Sequence, residues 1–246
     1  TQKMVAHPVR HMGKYAASIV IDGELHIIGG WKSNKHLIWD NTQCEFKEVF
    51  HFKEAGLGYY LHKLCYMQSR QLLFAMGGYT TTSRASRASD HIYVCEVAKN
   101  YRWHLLPVLM PRRMYSFGCV LTPNEKYIVL FGGNSTNHIH IFDLCRQEMV
   151  RLERLQCPNA GSYAACVLGN DQKTAVLVAG YVKRCWKSRE FQDVSQPPVD
   201  IILLLRRYCS TEIVHLFQTT KKQHWRMPLR EITSEYELQR KRNSLT

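Results

Sequence analysis

Nowhere among its 246 residues does the chain contain a Cys-x-x-Cys pair, although it carries nine cysteines, at positions 44, 65, 95, 119, 145, 157, 166, 185 and 209. The missing pairs exclude the ribbon-type zinc site and the thioredoxin-like redox motif. An odd, dispersed set of thiols inside strand-like runs suits reduced cysteines packed as small hydrophobes. The expected residence is therefore cytoplasmic, with nuclear as the alternative. Long apolar runs are missing too. The longest purely aliphatic stretch, Ile201 to Leu205, is far too short to cross a bilayer as a helix, so no membrane span is expected. No charged-apolar-small signal pattern opens the chain. Acidic residues are scarce: 20 Asp and Glu face 33 Lys and Arg, a formal charge of +13 that bears on partners rather than on fold.

Catalytic signatures are equally thin. No nucleophile elbow, phosphate-binding loop or dinucleotide fingerprint occurs. His7 and His11 have the spacing H-x3-H, but Pro8 between them argues against one continuous helical face, and no third ligand is evident. No catalytic residue, metal ligand or cofactor is assigned, and the chain is expected not to be an enzyme.

What recurs is a pair of glycines at the end of an apolar run. Leu25 to Gly30, Leu72 to Gly78 and Tyr127 to Gly133 are three copies, closing on Gly29-Gly30, Gly77-Gly78 and Gly132-Gly133; Val176 to Gly180, with Ala179 for the first glycine, is a degenerate fourth. The spacings from Gly29 to Gly77, Gly132 and Ala179 are 48, 55 and 47 residues. A strand-like unit with a period near fifty is the signature of a propeller-type array, whose units bury their faces against each other. Ahead of each pair lies another strand with a small residue, at Ser18, Cys65, Cys119 and Cys166, suited to a crowded innermost strand. Turn-forming residues such as Asp22-Gly23-Glu24 and Thr122 to Lys126 link the two strands as hairpins. After the glycines, a third strand carries an aromatic: Trp39, Tyr93 and Phe142. His91 and His140 fall at matching places in it, so they read as repeat architecture rather than ligands. Trp103 stands ten residues past Tyr93, and Trp225 ten residues past His215. The matched interval assigns Glu212 to Phe217 and His224 to Leu229 as third and fourth strands of the last unit.

These residues closely resemble the kelch repeat, an apolar strand ending in Gly-Gly, then a Tyr-Asp-like pair, then Trp about ten residues on, then Met-Pro-Arg. The second copy keeps nearly all of it: Gly77, Gly78, Tyr93, Trp103, Met110, Pro111 and Arg112. The first and third keep Trp39-Asp40 and Phe142-Asp143 but have no Trp in the fourth strand. The resemblance covers about residues 11–229 and implies an all-β chain: a β-propeller with kelch blades at about 11–50, 57–109, 113–156 and 161–229. This is the central architecture of galactose-oxidase-like proteins, without an assignable oxidase ligand set. Propellers close with about four to eight blades. Residues 1–10 read either as the fourth strand of a preceding blade, which would make the chain a piece of a larger propeller, or as an ordinary disordered terminus. Residues 230–246 read as a short helical or disordered basic tail, with Ser234 as a helix N-cap.

In a four-stranded meander, the loops after the second strand and the loops between units emerge at one end. Lys32, Asn34, Arg84, Arg87, Asn134, Lys183, Arg184 and Lys187 fall in the first kind, and Arg10, Arg112 and Arg113 in the second. A cationic rim on a rigid scaffold would attract an acidic or phosphorylated segment. Two insertions stand out. Thr80 to Ser89 is small and polar and repeats Arg-Ala-Ser, a pattern that a basophilic kinase could read; it is expected to be flexible. Residues 198–208 read as a short apolar helix opened by prolines. The expected function is a non-catalytic protein-interaction module, a scaffold or adaptor taking an acidic or phosphorylated protein partner on the basic face. The alternative is a polyanion-binding module for RNA or acidic lipid headgroups, against which stands the shortage of aromatic side chains in the loops. A propeller enzyme is the third reading.

Overall fold

The computed structural model describes residues 13–52, 58–82, 85–133, 136–156, 162–168, 174–181 and 224–244. The readings of a strand at 1–10, a helix at 198–208 and a strand at 212–217 lie outside the described residues. The chain divides into two compact units, residues 1–116 with 143–149, and residues 117–142 with 150–246.

The first unit is built of antiparallel strands. β1 (Ala17–Ile21), β2 (Glu24–Ile28), β3 (Lys35–Asp40) and β4 (Glu45–His51) pair in chain order. After β5 (Gly58–Tyr60) come β6 (Lys63–Met67), β7 (Leu72–Met76), β8 (Tyr79–Thr81), β9 (Ser86–Ala88), β10 (Ile92–Glu96) and β11 (Arg102–Leu105). β6, β7, β10 and β11 form a second four-stranded meander, and β5, β8 and β9 a small sheet of their own. The polar insertion is thus a paired hairpin, Tyr79↔Ala88 and Thr81↔Ser86, because its alternating small and β-branched residues can form a ladder beside β5. Ile21 and Ile28 of the first sheet pack on Leu73, Ala75, Tyr93, Cys95 and Trp103 of the second, with Phe52 and Tyr59 between them. Each large apolar side chain buried this way contributes about 1.5–3 kcal/mol.

The glycine pairs sit at bends that only a residue without Cβ adopts cheaply: φ is 66° and 124° at Gly29 and Gly30, 60° and 83° at Gly77 and Gly78, and 64° and 86° at Gly132 and Gly133. One set of backbone bonds recurs around them. The first glycine N–H donates to the carbonyl just ahead of the third strand's core: Gly29 to Lys35, Gly77 to His91, Gly132 to His138, at 2.8–3.0 Å. The second glycine's carbonyl accepts from Ser33, Ser89 or Thr136, at 2.8–3.1 Å. Its N–H reaches into the following repeat, Gly30 to Tyr59 O at 2.6 Å and Gly78 to Met114 O at 2.7 Å. The residues leading into successive first strands are also joined, Leu61 N–H to Tyr15 O at 3.1 Å and Ser116 N–H to Leu61 O at 3.5 Å. All three have positive φ.

These bonds correct two alignments. His91 corresponds to His138, not to His140, so Tyr93 lies two residues ahead of the place held by Trp39 and Phe142; Cys95 occupies it. The small first-strand residue is not a shared interior position either. Ser18, Cys119 and Cys166 each face the residue two before the first glycine or Ala179, whereas Cys65 faces Phe74, three before Gly77. Ser18 is also exposed.

β12 (Gly118–Leu121), β13 (Tyr127–Phe131), β14 (His138–Asp143) and β15 (Glu148–Gln156) form a third meander, all but the turn end of β14 and β15 belonging to the second unit. β16 (Ser162–Leu168), β17 (Thr174–Tyr181) and β18 (His224–Pro228) form a sheet in which β18 pairs directly with β17, Leu177 facing Trp225. His224 to Pro228 therefore fills the third place, not the fourth. Gly180 lies inside β17 rather than at a bend closing it. The chain ends in α1 (Leu229–Asn243), five residues ahead of Ser234 at its start, with Pro228 in the N-cap position. Its buried stripe Leu229, Ile232 and Tyr236 closes on Val120, Val129, Phe131, Ile139, Ile141 and Leu152. Gln239 reads the edge of β15 as another strand would, donating to Arg151 O at 2.9 Å and accepting from Glu153 N at 3.1 Å. No described helix is long and apolar enough to cross a membrane.

Candidate functional site

The bends at the glycine pairs decide what the loops of the first unit present. Directly after Gly30 the chain exposes Trp31 and Lys32, the latter at φ 60°, and Trp31 N–H donates to Lys14 O at 2.6 Å. Directly after Gly78 stands Tyr79. Tyr15, Tyr60 and Tyr115 occupy the corresponding lead-ins to the first strands. Loops of two kinds thus deliver aromatic rings to one end of the strands, and the rings meet. Trp31 touches Tyr60 edge-on at 5.1 Å between centroids, and Tyr15 lies 6.4 Å from it. Tyr60 stacks on Tyr79 at 5.3 Å, and Tyr79 meets Tyr115 at 4.5 Å. Trp31 and Tyr15 are 43% and 61% exposed, while Tyr60 is buried among the others. Burial, then a hydrogen bond donated to Tyr115, pushes the Tyr79 phenol well above its ordinary pKa.

Of the basic residues expected at this end, Lys32, Arg87 and Arg113 are exposed and Arg112 is half-buried; Lys14 joins them. Asn34 does not belong to the surface. It is buried, and its Nδ2 donates to Phe52 O at 3.1 Å, so it is a structural residue that holds the return of the chain from β4. Arg10, Arg84, Asn134, Lys183, Arg184 and Lys187 lie outside the described residues. The sequence reading missed the aromatic row, whose signal is a Tyr or Trp immediately after a glycine pair or just ahead of a first strand.

Beneath this end, two histidine groups are held neutral. His62 stacks on Tyr59 at 4.0 Å, with planes 5° apart, and both are buried against the glycine bends. Burial, helped by Lys63, brings the His62 pKa down to about 3. Deeper, Trp103 Nε1–H donates to His36 Nδ1 at 3.1 Å, and His36 Nε2 lies 2.9 Å from His26 Nδ1. Since Nδ1 of His36 accepts, its proton sits on Nε2 and His26 Nδ1 accepts in turn. Burial, then the neighbouring His26, lowers His36 to about 3. The relay joins β3 of the first repeat to β11 of the second. Cys95 is also buried, and that raises its thiol to about 12, far from a reactive thiolate. Among the described residues no three His, Cys, Asp or Glu side chains gather as a metal site would require.

No family model matches the chain, and no curated protein is similar to it.

Proposed function

We propose that the chain is a non-catalytic protein-interaction module, built of kelch-like propeller blades, that takes an acidic or phosphorylated partner on the loop end of the first unit. The row Trp31, Tyr15, Tyr60, Tyr79 and Tyr115 beside Lys14, Lys32, Arg112 and Arg113 is the observation that carries this reading. Trp, Tyr and Arg are the residues that dominate the energetics of protein interfaces, since they bury much area at little entropic cost and leave polar tips to bond. The repeated four-strand meanders, the recurring bonds at the glycine pairs and the 48- and 55-residue spacings support the propeller reading.

The same rings favour a second reading, single-stranded RNA stacked on the aromatics with its phosphates on the lysines and arginines. Titrating the chain with acidic and phosphorylated peptides and with single-stranded RNA over a salt series separates the two. Peptide binding that persists at 150 mM salt supports the first. RNA binding that falls steeply with salt, in the absence of peptide binding, supports the second.

A further inference from the structure

The insertion between β7 and β10 repeats one tripeptide, Arg84-Ala85-Ser86 and Arg87-Ala88-Ser89. An enzyme reading sequence alone meets the same local motif twice, but the fold treats the two serines differently. Ser89 is 5% exposed and pinned at three atoms. Its N–H donates to Gly78 O at 2.8 Å, its carbonyl accepts from Met114 N at 3.1 Å, and its Oγ accepts from His91 N at 3.1 Å. Ser33 makes the same two backbone bonds in the first repeat, to Gly30 O and from Tyr59 N, so Ser89 belongs to the repeat's framework. A phosphate there would be an unpaired buried anion.

Ser86 is exposed, as are Ala85 and Arg87 on either side. It opens β9, which pairs with β8 on one side and is the edge of its sheet. Its Oγ lies 3.0 Å from Thr81 Oγ1, another exposed hydroxyl. Residues 86–88 are therefore already extended and paired on one side alone, and lifting them out breaks the short ladder to β8 and the turn bonds between Thr82 and Ala85.

We propose that Ser86, and not Ser89, is a phosphorylation site for an arginine-directed serine kinase. The γ-phosphoryl group of magnesium-bound ATP moves to Ser86 Oγ. The Oγ–P bond forms, the bond from the γ-phosphorus to the oxygen bridging the β-phosphate breaks, the hydroxyl proton passes to the kinase's carboxylate base, and ADP leaves. The product gains a charge of about −1.5 to −2 at neutral pH, beside Arg87 and on the segment that follows Tyr79. A consequence, resting on the function proposed above, is that the modification opposes capture of an acidic partner.

The test is to incubate the native chain with a purified arginine-directed serine kinase, magnesium and γ-labelled ATP, and to map the label by peptide mass spectrometry. A synthetic peptide covering residues 82–91 serves as the unfolded comparison. The native chain is expected to carry label on Ser86 in at least about tenfold excess over Ser89, since that ratio needs only about 1.4 kcal/mol of the buried anion's cost. The peptide is expected to carry it on both serines. Because Ser244 follows Arg240-Lys241-Arg242 and can take label of its own, the count is made on the peptide spanning 82–91: Ser86→Ala should abolish label there and Ser89→Ala should leave it. A native chain without label on Ser86, or with as much on Ser89 as on Ser86, overturns the proposal. Acidic-peptide binding measured on the labelled chain is a separate readout, whose failure touches the function and not the site.

Discussion

The amide of Gly30 donates to the carbonyl oxygen of Tyr59 at 2.6 Å, and one repeat later the amide of Gly78 makes the same bond to Met114. The second glycine of each pair is therefore the point where one repeat grips the next. Its approach is closer than any side chain permits: a Cβ on Gly78 would lie 2.5 Å from Tyr60 O and 2.7 Å from His62 N, and one on Gly30 would lie 2.6 Å from Gly13 O.

Gly23 separates the two reasons for glycine. Its φ is 86°, close to that of Gly78, but a Cβ there would meet nothing within 4 Å. Gly23→Ala should cost only the left-handed strain, about 1–2 kcal/mol, and Gly78→Ala at least twice that. Thermal or urea unfolding of the two variants checks the ranking. Gly78→Val and Gly133→Val should likewise both exceed Gly180→Val, since Gly180 lies within β17.

Acid should unfold the first unit before its carboxylates titrate. His36 and His62 are held at about 3 in the folded chain, against about 6.5 unfolded. Between those values the unfolded chain binds protons that the folded chain does not, so stability is fully present above pH 6.5 and falls as pH drops. Each histidine contributes a loss of about 1.4 kcal/mol per pH unit well below 6.5. Asp40, lowered to about 2 first by its bond to Lys47, also loses stability in acid, but only below its ordinary carboxylate pKa. Because Glu48 and Glu96 are also held below their ordinary value by Lys35 and Lys99, melting temperatures between pH 7.5 and 5.5 are the ones that follow the histidines. They should fall steadily, and His62→Phe should flatten the slope.

Trp103→Phe keeps most of the ring packing but leaves buried His36 Nδ1 without its donor. A loss of about 1–3 kcal/mol is expected. In a double-mutant cycle with His36→Leu, the two changes should be strongly non-additive, and additivity would mean that the relay contributes nothing beyond packing.

Gln239→Ala removes both bonds with which α1 closes the edge of β15. Hydrogen exchange at the Glu153 amide should accelerate, and the chain should lose about 1–3 kcal/mol. Unchanged protection of Glu153 would show that the edge is covered by the helix backbone alone.

The glycine pairs were legible in the sequence because the bond they make recurs locally: a positive φ at the end of an apolar run has few solutions other than glycine. Buried Trp103 was legible for a similar reason, as a large ring inside a short strand. The place of Tyr93 was not. The β8–β9 hairpin lengthens the loop ahead of it, and counting residues from Gly78 cannot say how many of them the hairpin absorbs. The interval from His215 to Trp225 misled for the same reason, since equal spacing does not show which strand a segment pairs with, and β18 pairs with β17. The aromatic row was hidden because Trp31, Tyr60, Tyr79 and Tyr115 come from separate loops. They meet only once the glycine pairs have bonded one repeat to the next. Asn34 was misjudged because a polar residue in a loop reads as surface, whereas here its amide satisfies the buried carbonyl of Phe52.

The most direct measurement is calorimetric titration of an acidic phosphopeptide into three chains: the unaltered one, Trp31→Ala with Arg113→Ala, and Lys99→Ala with Arg70→Ala, two exposed residues at the opposite strand ends of the same unit. Each double variant removes exposed side chains, and a matched melting temperature confirms that the fold is retained. If the aromatic and basic loop end is the recognition surface, the first pair of changes weakens binding at least about tenfold, or about 1.4 kcal/mol. The second pair then changes it less than about twofold, because surface charges farther than a Debye length of about 8–10 Å are screened. Equal losses in the two variants, or full affinity in the first, would contradict it.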